Sequence, residues 1–129
     1  MLRCVPRLAM AALALAFTAP AWSQVPRNFP AQALRGEIAV VQPPELLLNG
    51  RPARLSPGAR IRGENNLLRT TDTLANRRLV VHYTVDLSGL LSEVWILTAE
   101  ERARQPWPTT AQEAAQWRFD PIAQVWTRP

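Results

Sequence analysis

The sequence has no lysine, one cysteine and one histidine. Cys4 stands alone, so no disulfide can form within the chain and no thiolate cluster can hold a metal. His82 has no cysteine to share a metal with, and one imidazole does not make a metal site. No nucleotide, metal or catalytic motif stands out anywhere along the chain. Long apolar runs are also missing. The one unbroken stretch, 8–17, is half the length of the roughly 20 apolar residues a membrane span needs.

What that short run does fit is a signal peptide. Arg3 and Arg7 precede it, Pro20 breaks the helix behind it, and Ala21 and Ser23 supply small residues at the −3 and −1 positions. The sequence predicts cleavage after Ser23 and a periplasmic or secreted product starting at Gln24. Cys4 precedes the apolar run, whereas a lipid-modified cysteine would follow it. It leaves with the peptide, and the mature chain folds without a thiol. No other stretch is long and apolar enough to span a membrane after processing.

Removing 23 of the 129 residues leaves 106, the size of one domain. Two arginines go with the peptide, so thirteen basic residues face ten acidic ones, a net charge of +3. Every base is arginine, which grips phosphates and carboxylates bidentately. A GC-rich coding sequence is the plainer account of arginine in place of lysine.

Residues 24–33 contain Pro26 and Pro30 and show no period, so they read as an extended linker. Strand and turn patterns follow. A first strand over 34–41 ends at Pro43-Pro44, and a second covers 45–48. Asn49-Gly50 is the strongest short hairpin signal, since both residues tolerate positive φ. A third strand over 51–55 meets a Ser56-Pro57-Gly58 turn of type II and continues over 59–62. The polar stretch 63–77 predicts a loop with at most one helical turn. A fourth strand over 78–85 and a fifth over 90–97 form a hairpin around Asp86-Leu87-Ser88-Gly89. Its register is open by one residue. The fifth strand is apolar on both sides, with Val94 and Ile96 on one and Leu91, Trp95 and Leu97 on the other.

The pattern then changes. Thr98-Ala99-Glu100-Glu101 and Thr110-Ala111-Gln112-Glu113 are capping boxes that open two short helices, the first ended by Pro106. Residues 118–129 read as extended, with Phe119, Ile122, Val125 and Trp126 as packing groups. Trp95, Trp107, Trp117 and Trp126 fall in this last part of the chain, and they need a surface to cover. The outer side of the fifth strand is that surface.

Five strands with a long excursion between the third and fourth match the strand count of an OB-type barrel. Gly36-Glu37-Ile38, Asn49-Gly50 and Pro57-Gly58-Ala59-Arg60-Ile61 resemble the opening of a group of exported bacterial OB-like modules. The whole chain is similar to short exported proteins of Gram-negative bacteria of unassigned function. The resemblance implies a fold and a compartment, and no activity. The expected architecture is mainly β: a small five-stranded OB-like barrel over 34–98, then a Trp-rich segment over 99–129 with one or two short helices packed on it.

Three functional readings follow. The first is a non-catalytic binding or interaction module in the periplasm, meeting an envelope protein. The second is a binder of polyanions or an anionic envelope surface. Arg51, Arg54, Arg60, Arg62, Arg69, Arg77 and Arg78 lie in a window whose only acids are Glu64 and Asp72, a local charge of +5. Arg51, Arg54, Arg60, Arg62, Arg77 and Arg78 are the candidate anion-binding residues. Nucleic acid fits poorly, because no aromatic stacking platform lies between 51 and 78 and the compartment is wrong. The third is a small enzyme using His82, which in one hairpin register would face Glu93. The nearest hydroxyls, Thr84 and Ser92, carry no nucleophile-elbow pattern. The carboxylates form no convincing pair: Glu101 and Glu113 are explained as caps, and Asp86 and Asp120 sit where turns favour aspartate. No catalytic, cofactor or metal residue is assigned.

Intact-mass measurement of the protein recovered from the periplasm should give a chain beginning at or within a few residues of Gln24. A full-length mass there would remove the export reading.

Overall fold

The computed structural model describes residues 26–129. The expected signal segment, Cys4 and the expected cut after Ser23 lie outside the described residues. The fold is mainly β. Strands β1 (Leu34–Gln42), β2 (Glu45–Leu48), β3 (Arg51–Arg62), β4 (Arg78–Val85) and β5 (Leu91–Ile96) precede helices α1 (Ala99–Ala103) and α2 (Ala111–Gln116). Two short strands, β6 (Arg118–Asp120) and β7 (Val125–Thr127), end the chain. The excursion between β3 and β4 holds one 3₁₀ turn, Thr71–Leu74.

The five long strands pair in the order β1-β2-β3-β5-β4, and β4 pairs back onto β1, so the sheet closes on itself. All pairings are antiparallel except β3 with β5, which run parallel. Alternation along the strands sends Ile38, Val40, Leu46, Ile61, Val81, Tyr83, Val94 and Ile96 inward, where they fill the core. Gly36 faces the same interior. A Cβ there would meet Leu48 and Tyr83 side-chain carbons at 3.0 Å, so the space itself selects glycine.

Turn chemistry places the strand ends. Asn49 and Gly50 take φ of 53° and 79°, and Leu48 pairs with Arg51 directly across them. This is the two-residue turn whose twist matches antiparallel strands. Asn49 Oδ1 also accepts a hydrogen bond from the Glu37 amide. Asp86 Oδ1 accepts from the Ser88 and Leu90 amides, and Gly89 takes φ of 80°.

The expected turn at Ser56-Pro57-Gly58 does not form. β3 runs through it as one strand, and Gly58 is not among the residues with positive φ. Leu55 pairs with Leu91 and Arg60 with Glu93, so four residues of β3 stand against one of β5. The segment is a wide bulge. Pro57, which has no N–H to give a ladder, is tolerated at such a place.

β5 is apolar on both sides as expected, but a second irregularity corrects the side expected for Leu91. Thr84 pairs with Glu93 but Val85 with Leu91, which leaves Ser92 as an extra residue. Leu91 therefore turns inward to join Val94 and Ile96, while Trp95 and Leu97 face outward. One inserted residue reverses the side on which every earlier residue points.

The outward side of β4 and β5 is covered by both ends of the described chain. Phe29, Ala33, Trp95, Leu97, Trp107 and Trp126 form a second core there, with Val80, Ala114, Trp117 and Phe119 packed on it. Of the stretch expected as an extended linker, residues 26–33 are described and are not free: Arg27, Phe29 and Ala33 are buried, and a turn brings the Ala33 amide to the Pro30 carbonyl. The segment 118–129 is not simply extended either, because β6 and β7 pair as a hairpin. Asp120 Oδ1 accepts from the Ile122 and Ala123 amides, and Gln124 takes φ of 55°. That turn puts Ile122 at its tip and leaves Val125 facing out, so these two are exposed and do not pack as expected.

Replacing Asn49 and Gly50 together by valine should lower the unfolding free energy by about 2–4 kcal/mol. Two β-branched residues would be held at positive φ, at roughly 1–2 kcal/mol each. Urea unfolding measures it, and an unchanged midpoint would contradict the turn's role.

Candidate functional site

Arg35 and His82 are partners across β1 and β4, and their side chains point outward from the sheet. His82 is nevertheless only 1% exposed. Phe29 meets its ring edge-on at 4.4 Å, and Trp107 stacks on it at 4.1 Å with 23° between the planes. Arg35 Nε donates to His82 Nε2 at 3.3 Å. An acceptor at Nε2 puts the proton of the neutral ring on Nδ1, which has no partner among the described residues. Trp126 Nε1 is likewise unpartnered. Such buried donors cost about 1–3 kcal/mol each.

Burial, and then the charges of Arg35, Arg27 and Arg104, push His82 from the ordinary 6.5 down to about 2. The remaining donors of Arg35 go to the carbonyls of Glu101, Arg102 and Arg104 around the end of α1. Its guanidinium also lies over the Trp107 ring, 5.6 Å from the centroid.

The neighbouring cluster centres on Arg27. Its Nε and Nη2 donate to the two carboxylate oxygens of Glu101. Further donors reach the Gly63 carbonyl at 2.8 Å and the Ile96 carbonyl at 2.7 Å. Both ends of the ion pair are buried. Glu101 serves the α1 cap at the same time: Oε1 accepts from the Thr98 amide while Thr98 Oγ1 accepts from the Glu101 amide. Burial alone would raise the Glu101 carboxyl. The Arg27 hydrogen bond and charge and the Thr98 bonds outweigh it and hold the carboxyl below its ordinary value.

This cluster joins the N-terminal segment to α1 and to the ends of β3 and β5. Glu93 pairs with Thr84 and not with His82, so the histidine–carboxylate pairing expected in one register is absent. Thr84 Oγ1 and Ser92 Oγ hydrogen-bond to each other at 2.8 Å. Among the described residues no group of three His, Cys, Asp or Glu side chains could hold a metal ion. No helix among them is long and apolar enough to cross a membrane.

The arginines of the basic window are distributed around the sheet. Arg51 and Arg54 lie on the β2 side of β3, Arg60 and Arg62 on its β5 side, and Arg78 beside Ala39 of β1. Arg77 precedes β4 in the loop. Arg54 sits opposite Glu45 and Arg60 opposite Glu93. These acids fall outside the 51–78 window, and only the ladder brings them next to the bases.

On the other outward side, Glu37, Val41, Glu45, Leu47, Pro52 and Arg54 of β1, β2 and β3 are exposed. A groove of about 590 Å³ runs along it, lined by Val41, Leu47, Pro52 and Leu90 with Glu45 and Arg54. Val41 and Leu47 stand exposed along it. None of its lining residues is aromatic.

Sequence reasoning missed the roles of Arg27, Arg35 and Glu101. Glu101 was legible as a cap but not as a buried counter-ion, because its partner is 74 residues away. No family model, no curated protein and no solved structure matches the chain.

Because His82 is held neutral, its stabilisation is complete above pH 6.5 and is lost as pH falls from there toward 2. Unfolding free energy should drop by up to about 1.4 kcal/mol per pH unit below 6.5. Urea titrations at about pH 7 and pH 5, where few carboxylates change state, measure it. His82→Gln should remove most of the slope. Equal wild-type stability at the two pH values would contradict a buried neutral His82.

Proposed function

We propose that this chain is an exported, non-catalytic interaction module of the periplasm, built on an OB-like barrel. The observation that carries the reading is the uneven cover of the sheet. Both chain ends seal the outward side of β4 and β5, while the outward side of β1–β3 keeps an apolar groove open.

The strand order, the parallel β3–β5 pair and the long excursion before β4 support the OB-like assignment. In such barrels the face of the second and third strands, with the loops after the first and fourth, is the usual ligand surface. Here Val41 comes from the end of β1, just before the first of those loops, and Gly89 and Leu90 from the second. The signal-peptide pattern supports export. The depth of His82 weighs against a catalytic role, since a ring clamped between Phe29 and Trp107 meets no substrate. The cross-strand acids weigh against polyanion binding, since Glu45 and Glu93 offset Arg54 and Arg60. An apolar groove without aromatic platforms suits a protein surface, such as an envelope protein, better than a base or sugar.

A photo-crosslinking amino acid at Leu47 or Val41 should capture a protein in the periplasm of producing cells, and one at Ile122 should not. Absence of crosslinks from both groove positions, or equal yield from all three, would overturn the reading.

A further inference from the structure

The charges on the open face are arranged in a way that selects an occupant. Glu45 and Arg54 are direct partners across β2 and β3, both exposed, in an otherwise apolar groove. They do not pair with each other: among the described residues the one ion pair is Arg27 with Glu101. An adjoining groove of about 300 Å³ over β1 shares Leu47 and repeats the pattern, with Glu37 and Arg78 at its border. The face therefore carries two acids and two bases around a shared apolar centre.

Such a face has no net field to attract a polyanion or a uniformly acidic partner. It is instead complementary to itself. When two copies meet about a two-fold axis, each residue i that meets j is matched by a j that meets i. Glu45 of one copy then reaches Arg54 of the other, and the reverse contact comes without further design. Leu47, Pro52 and the exposed Val41 supply the apolar area that such a contact buries.

We propose that the open face of β1–β3 is a self-association surface whose occupant is a second copy of this chain, with Glu45 and Arg54 paired reciprocally between copies. The inference rests on the interaction-module reading and names its partner.

Sedimentation of the protein purified from the periplasm, over about 1–200 µM, tests it. The wild type should form a dimer within that range. Glu45→Arg and Arg54→Glu should each weaken self-association at least about tenfold, because each places like charges together. Mixing the two single variants should produce a heterodimer, since one then supplies only bases and the other only acids. The double variant carrying both changes should dimerise again, which shows that the single variants were folded and failed through charge alone. Leu47→Asp should leave a monomer. A wild type that stays monomeric throughout, or a dimer indifferent to all these changes, would overturn the proposal. If the chain is monomeric but Leu47 and Val41 still crosslink to another protein, the interaction-face reading stands and the second-copy inference falls. If no crosslink forms either, the reading itself falls.

Discussion

The ion pair between Arg27 and Glu101 fastens the N-terminal segment and α1 to the ends of β3 and β5. Arg27 brings in the N-terminal segment, Glu101 the first turn of α1, the Gly63 carbonyl the end of β3, and the Ile96 carbonyl the end of β5. A charge taken out of water is costly unless nearly every donor and acceptor finds a partner, and here they do. Removing either member of such a pair typically costs about 3–5 kcal/mol, because the other is left buried and unmatched. The position of the segment over the sheet follows from this clamp. Two residues on from Arg27, Phe29 exchanges hydrogen bonds with Gln124 through its own backbone and rests edge-on against His82.

That arrangement solves a problem set by β4 and β5. Both strands are apolar or aromatic on the inside and also carry bulk on the outside, at Val80, His82, Trp95 and Leu97. A five-stranded closed sheet has only one interior, so the outer set needs a second layer. The segment before β1 and the segment after α1 provide it from opposite ends of the sequence. Trp107 is its centre: its indole N–H donates to the Ala33 carbonyl, and its ring touches His82, Phe29, Phe119 and Trp126. With one outward side occupied by the protein's own chain, the residues left exposed on the β1–β3 side are an apolar centre, Leu47 and Val41, with Glu45 and Arg54 beside it. The proposed interaction face is this surface.

Local chemistry was legible where neighbours in sequence decide the outcome. The Asn49-Gly50 turn, the Asp86 turn, the Thr98 capping box and the limits of β4 all rest on residues within a few positions of each other. Legibility ended where one inserted residue changes a side. The bulge at Ser92 moved Leu91 into the core, and the bulge at 56–59 turned an expected corner into continuous strand. It ended again at charge. Counting along the chain gives the 51–78 window an excess of arginine, yet Glu45 and Glu93 lie across the ladder from Arg54 and Arg60.

By itself, the sequence determined the five strands of the closed sheet, the Asn49-Gly50 and Asp86 turns, the Thr98 cap and the need for an aromatic cover. Each depends on short-range sterics, hydrogen bonds or apolar period, which a linear string records. Only the tertiary structure decided that His82 is buried and neutral, that Arg27 has Glu101 as its counter-ion, and that Glu45 stands beside Arg54 on an open face. Those are properties of residues far apart in the chain, and they exist only once register and closure bring the strands together and remove the water between them.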